Sequence, residues 1–207
     1  GIEFEYNNSN YNVLAWIIEQ VSGQTYGEFL RENIFSKLGM NHTVFDDGQT
    51  IIPNKASNYI RDYGKLVRAP YTNNLYSIGA GALVTNCDDL QKWYECLKNR
   101  KIISEHAYEI YLSENKNNYC YGLERHEEDG TIKYAHGGDM PGVSAYIQYY
   151  FDEDLCIIVI SNTESLDQYR FGNGIAAILH NKQAPVSCRP EEIFLPPEEL
   201  EKYTGTY

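Results

Sequence analysis

The sequence predicts an α+β fold, and three observations carry that expectation. Apolar residues recur at helical spacing through the first half of the chain, strict alternation replaces that spacing after Asn118, and Asp129-Gly130 sits where a tight antiparallel turn is needed. Helices first and an antiparallel meander second is the order of an α+β domain. At 207 residues with 43% apolar and 22% charged side chains, the chain is long enough to bury a core of its own. The net charge of −12 argues against a nucleic-acid or anionic-membrane surface, because like charges repel a phosphate layer. The longest pure apolar run, Ile157 to Ile160, is strand-sized and far below a membrane span.

Leu14, Ile17, Ile18 and Val21 follow the i, i+3, i+4, i+7 rule, and Gly23 supplies a stop, which predicts the first helix. Thr25-x-x-Glu28 is a capping box that opens a second helix, expected to bury Phe29, Leu30, Ile34 and Leu38 before Gly39. Residues 41–82 are rich in Asn, Tyr and Gly and poorly periodic. Such an excursion in a compact domain belongs around a cleft. A third helix opens at Thr85 or Asn86 with Asp88 and Asp89 in its first turn, buries Leu90, Trp93, Tyr94 and Leu97, and closes on Lys98, Arg100 and Lys101. A short helix follows from Ser104 to Leu112.

Tyr119 to Arg125 and Thr131 to His136 read as strands joined through Asp129-Gly130, and Val143 to Phe151 and Leu155 to Ser161 as a second hairpin across Asp152-Glu153-Asp154. A last helix over 166–181 is expected to bury Phe171, Ile175, Ile178 and Leu179. The stretch through Pro185, Pro190, Pro196 and Pro197 is linker-like, and Leu200 to Tyr207 reads as the opening of another element.

The five cysteines are scattered and never spaced as CxxC, so neither a disulfide framework nor a structural zinc site is expected. The histidines show no metal-ligand spacing, and the acidic runs His126-Glu127-Glu128-Asp129-Gly130 and Asp152-Glu153-Asp154 read as turn chemistry; no metal or cofactor is expected. Nineteen tyrosines suit a wet cleft as well as a core, because the ring is apolar and the tip is polar.

Two segments offer chemistry. His136-Gly137-Gly138-Asp139-Met140-Pro141-Gly142 reads as a glycine-dense turn between strands, where a strand-edge N–H can donate to a developing oxyanion; the plainer reading is a β-turn beside an incidental histidine. Tyr6-Asn7-Asn8-Ser9-Asn10-Tyr11, just before the first helix, reads as ordinary capping on its own.

Together they say more. Phe4 to Tyr11, Ile18-Glu19-Gln20-Val21-Ser22-Gly23, Lys37-Leu38-Gly39-Met40-Asn41-His42-Thr43, Ala80-Gly81-Ala82-Leu83-Val84-Thr85 with Asp89-Leu90, and His136-Gly137-Gly138 with Pro141-Gly142 occur in an order that resembles the penicillin-recognising serine hydrolases of the class C β-lactamase type, over about residues 4–180. That family includes penicillin-binding proteins, D-alanyl-D-alanine carboxypeptidases and related esterases. The resemblance implies a β-lactamase/transpeptidase-like architecture, a helical lobe plus an antiparallel sheet flanked by helices with the site between. Residues 1–117 would be mostly the helical lobe, 118–184 the later strands and closing helix, and 185–207 a linker and the start of a further element.

The family works through an acyl-enzyme on the serine of a Ser-x-x-Lys motif, with Tyr-x-Asn and Lys-x-Gly or His-x-Gly. By resemblance Tyr6 would take or relay the serine proton and Asn8 would hold the substrate amide. His136 would keep the site electropositive, and Gly138 with the Asp139 backbone N–H would bind substrate and oxyanion. A phenol near pKa 10 needs positive charge nearby to act as a base at neutral pH.

The sequence departs from the family at the nucleophile. Only five residues precede Tyr6, and the one Ser-x-x-Lys string, Ser113-Glu114-Asn115-Lys116, stands in the wrong order and in a polar stretch that reads as loop. The chain therefore reads as a C-terminal part with no nucleophile, and it also lacks the lysine that would activate Tyr6; by itself it is expected to be inactive and to self-associate through an uncovered apolar face or sheet edge. The parent would act on a D-Ala-D-Ala stem, a β-lactam, or a small ester or peptide, in the cell envelope or outside the cell. The alternative is a non-catalytic binding or sensor module that keeps the cleft.

Overall fold

The computed structural model describes residues 2–184 and 194–205. Each helix is set by its ends. α1 (Asn8–Ser22) begins where the Asn7 side chain accepts from the Ser9 N–H at 2.8 Å and stops at Gly23, whose φ of 70° returns its N–H to the Glu19 carbonyl. α2 (Tyr26–Leu30) starts at the expected capping box, with the Thr25 and Glu28 side chains exchanging bonds with each other's backbone N–H. It does not continue as one regular helix. A π-helical stretch, Arg31–Phe35, leads into α3 (Ser36–Leu38), which ends at Gly39. The i→i+5 bonding of that stretch keeps residues five apart on one side, so Leu30, Phe35 and Met40 bury together.

The excursion after α3 carries two small sheets that the alternation in the sequence did not reveal. β1 (Val44–Phe45) pairs with β4 (Leu83–Val84), and between them β2 (Tyr59–Asp62) pairs with β3 (Lys65–Arg68) across Tyr63-Gly64, both at positive φ. α4 (Cys87–Lys98) is capped by Asn86. Asp89 does more than face the helix dipole. It is fully buried and accepts from the His42 N–H, the Thr43 hydroxyl and Lys92, pinning the 40–43 turn to the helix. α5 (Glu105–Leu112) follows its Ser104 cap.

β5 (Glu124–Glu128), β6 (Thr131–Met140), β7 (Val143–Tyr150) and β8 (Leu155–Ser161) form an antiparallel meander in that order. Alternation splits its side chains between two helical layers. Ala135, Tyr146, Tyr150, Ile157 and Val159 pack with Ala176 of α6 (Gln168–Leu179), and Tyr149 packs with Tyr94 and Leu97 of α4 and Tyr108 of α5. α7 (Pro197–Leu200) stands apart in the tail. Part of the predicted linker, residues 185–193 with Cys188, lies outside the described residues, as do Thr206 and Tyr207.

Three expectations are corrected. The 119–125 strand begins only at Glu124, because Tyr119 to Leu123 turn tightly, with the Cys120 N–H on the Leu123 carbonyl. The glycine-dense 136–142 segment is strand as far as Met140, and only Pro141-Gly142 turns, because β7 pairs with β6 along its whole second half. In α6, Phe171, Ile178 and Leu179 are exposed while Gln168, Gly172 and Ala176 are buried. A Cβ at Gly172 would stand 2.8 Å from Gln148 and from the Tyr146 ring, so this helix docks through its small residues. α1 likewise turns Val13, Leu14, Trp16, Ile17 and Val21 outward and buries Ala15.

Candidate functional site

Tyr6 and Asn8 lie at the start of α1, and this end of the helix is tied down by the 76–79 loop. The Gly79 N–H donates to Asn12 Oδ1 at 3.0 Å and Asn12 Nδ2 donates to the Tyr76 carbonyl at 3.0 Å. A Cβ at Gly79 would fall 2.0 Å from the Tyr11 carbonyl oxygen, so only glycine permits that approach. His136 stands in the middle of β6, on the face shared with Tyr134 and the α4–α5 layer. The fold brings these together across 130 positions: Tyr6 Oη is 3.2 Å from Asn8 Oδ1 and 3.4 Å from His136 Nε2.

Among the described residues, no strand covers the edge of β6 beside them. Asp129-Gly130 is a two-residue turn closing on Glu128 and Thr131, so Thr131, Lys133 and Ala135 direct their backbone groups to β5, and the alternate residues direct theirs to β7. β5 ends at the Glu124–Ala135 pair. Gly137 and Asp139 share the parity of Ala135, so their N–H groups point to an edge that β5 no longer covers. The two glycines serve different ends. A Cβ at Gly137 would lie 2.5 Å from the Tyr169 ring, whereas one at Gly138 would meet nothing within 4 Å, so Gly138 leaves open space next to the free edge. The Asp139 side chain faces α6, where both its oxygens accept from Gln168 Nε2 at 2.9 Å.

The electrostatics differ from the expected electropositive site. Burial pushes the His136 imidazole below its ordinary 6.5, against the opposing pull of Glu124, so it is neutral at pH 7. Partial burial, followed by Tyr11 and Glu124, pushes the Tyr6 phenol above 10. The hydrogen-bond partners of the Tyr6 hydroxyl, Asn8 and His136, are both uncharged.

Ser113 and Lys116 are not brought to this site as a pair of catalytic groups. Ser113 ends α5 with its hydroxyl on the Ile110 carbonyl at 2.7 Å, and Lys116 donates to the Ile2 carbonyl at 2.8 Å within a turn. Among the described residues, no group of three His, Cys, Asp or Glu is placed to hold a metal ion. Sequence reasoning missed Tyr119, whose hydroxyl is also 3.4 Å from His136 Nε2, and Gln168. Only the surplus of tyrosine hinted at the first. A cavity of about 680 Å3 adjoins the far end of the same sheet face, lined by Leu83, Val84, Leu90, Met140, Val143 and Ile160.

Comparison with known proteins bears on the family and the fold. A D-aminopeptidase of Gluconobacter oxydans is 23% identical, the match taking in 99% of this chain and 40% of that protein. The octameric penicillin-binding protein homologue of Pyrococcus abyssi superposes with a TM-score of 0.77 at 27% identity, over 89% of this chain and 44% of its own. A penicillin-binding protein of Bacillus halodurans does so at 0.72 and 28%, over 86% and 56%. The chain spans about two fifths of the length of the curated relatives it matches. The family model described as Beta-lactamase matches residues 1–182, which contain Tyr6, Asn8, His136 and the whole four-stranded sheet, and the chain belongs to that family.

Proposed function

We propose that this chain supplies the Tyr-x-Asn and His-x-Gly half of the site of a serine hydrolase that works through an acyl-enzyme, on a β-lactam, a D-Ala-D-Ala peptide, or a small amide or ester. The convergence of Tyr6, Asn8 and His136 beside a free strand edge with an open Gly138 carries this reading. In it the Asp139 N–H donates to the oxyanion, Asn8 Nδ2 donates to the substrate carbonyl while its Oδ1 orients Tyr6, and Tyr6 moves the proton between nucleophile and leaving group. The serine and its activating lysine come from a helix beyond the described residues. A cavity of about 680 Å3 adjoins the site with apolar residues in its lining, a surface on which one turn of such a helix could seat, and a cation arriving at Tyr6 would draw its phenol down toward the range of a working base.

By itself the chain then neither turns over nor acylates. The test is mass spectrometry after incubation with a fluorescent penicillin and with a D-amino-acid amide. Unmodified chain and no hydrolysis above buffer are expected, and an acyl adduct on any of its own serines would overturn the claim. In a longer form carrying a Ser-x-x-Lys helix, Tyr6→Phe should slow acylation about 100-fold or more. The neutral state of His136 and the proton held on Tyr6 favour a second reading, a binding module that keeps the cleft without chemistry. Reversible ligand binding in that longer form, unaltered by Tyr6→Phe and without an adduct, would select it.

A further inference from the structure

Two consecutive residues at the start of α6 rest on β6 from behind the site. The Asp167 side chain accepts from the Arg170 N–H at 2.9 Å and fixes where the helix begins, so Gln168 and Tyr169 stand in its first turn. Gly137 and Asp139 lie on the α6 face of the strand, because alternate residues share a face. Tyr169 meets the first of them. A Cβ at Gly137 would lie 2.5 Å from the Tyr169 hydroxyl, and the Tyr169 ring packs on Tyr146, the register partner of Gly137, with centroids 4.8 Å apart. Gln168 meets the second. Its Nε2 stands 2.9 Å from both Asp139 oxygens, and the residue is only 3% exposed. Chemistry fixes the direction of this contact: a carboxylate oxygen accepts, and the amide oxygen of Gln168 in the same place would set acceptor against acceptor. Burial, followed by Asp139, pushes the Tyr169 phenol up while a hydrogen bond with Gln168 works the other way, so the three side chains form one cluster.

Residues 137 and 139 are also the two whose N–H groups point to the edge that no described strand covers. Two glycines precede Asp139, so the backbone leading to its N–H has no side chain of its own to hold it. We propose that Gln168 is a positioning residue of this site, which grips the Asp139 carboxylate from the α6 face and so holds the Asp139 N–H at the angle a developing oxyanion needs. Gln168 acts through Asp139 and touches no reacting atom. Its part in catalysis rests on the reading of Asp139 given above, whereas the ordering of the 137–139 edge is a property of this chain.

The experiment begins with nitrogen-15 relaxation on the chain as it stands. Gln168→Glu sets a second carboxylate against Asp139, and the order parameters of the Gly137, Gly138 and Asp139 amides should drop from about 0.85 to below about 0.6 while β7 and β8 keep theirs. Adding Asp139→Asn exchanges donor and acceptor across the same contact and should restore them. Asp139→Ala removes the gripped group from an exposed position, should loosen the same three amides, and decides the matter if Gln168→Glu does not fold. Amides that stay rigid, a double variant that stays mobile, or mobility that spreads through the whole sheet each reject the proposal. In a longer form carrying the Ser-x-x-Lys helix, Gln168→Glu should lower kcat for a D-amino-acid amide about 10- to 100-fold with KM nearly unchanged, and Asp139→Asn should recover it. An active longer form whose kcat ignores Gln168→Glu removes the positioning role and leaves the hydrolase reading standing. A longer form that neither acylates nor hydrolyses removes the hydrolase reading, and the order parameters still decide whether Gln168 holds the edge.

Discussion

A phenol flanked by an imidazole and a carboxamide keeps its proton at neutral pH when neither neighbour is charged, and that is the state of Tyr6 here. The same burial that neutralises His136 makes it a stability sensor. Its folded pKa lies below the unfolded 6.5, so the unfolded chain binds the proton more readily. Stability is therefore complete above pH 6.5 and falls as the pH drops below it. Urea midpoints measured between pH 7.5 and 5 should fall on acidification, and His136→Gln should flatten that slope in the part of the range where carboxylates do not yet titrate. A slope identical in both chains would place the pH dependence elsewhere. Motif order singles out Tyr6, Asn8 and His136, because those residue types at those spacings resemble a known family, and the fold brings the three side chains together. It passes over Tyr119. Its part depends on a turn that aims one ring at an imidazole 17 positions away, and nothing in local spacing encodes that.

At the scale of elements, caps explain why the helices begin where sequence reading puts them. Asn7, Thr25, Asn86 and Ser104 each satisfy a first-turn N–H, and such bonds are local. Which helical face meets the sheet is a different matter. α6 has apolar residues around most of its surface, and the close approach at Gly172 decides that Ala176 goes in and Phe171 out. Two glycines in this helix should therefore respond oppositely to the same change. Gly172→Ala should destabilise by about 1–3 kcal/mol through overpacking against Gln148 and Tyr146. Gly174→Ala meets nothing within 4 Å and should stabilise by about 0.5–1 kcal/mol through helix propensity. Chemical denaturation of the two single variants checks both signs. The extension of β6 through His136-Gly137-Gly138 has the same character. Glycines read as a turn in sequence, yet the ladder to β7 holds them extended and leaves their far edge free.

For the whole molecule, uncovered apolar surface is the main consequence of the arrangement. The outward stripe of α1 and the outward residues of α6 lie exposed, and β8, an almost wholly apolar strand of the kind normally found inside a sheet, is its last strand among the described residues. We expect light scattering to show an apparent mass that rises with concentration, and Trp16→Glu with Ile17→Lys to bring it back toward the 23.8 kDa of one chain. A constant monomer mass across a hundredfold range of concentration would count against this.

The sequence by itself determined the α+β order, most of the helix starts, two of the three hairpin turns of the meander and the family, because caps, turn residues and periodicity act over a few residues and motif order survives in one dimension. Only the tertiary structure decided which faces are buried, that burial holds the His136 imidazole below its ordinary pKa, that no described strand covers the β6 edge at Asp139, and that the Tyr6 and Tyr119 hydroxyls both stand 3.4 Å from His136 Nε2. Those outcomes depend on desolvation and on distances between groups far apart in the chain, and neither exists until the chain has folded.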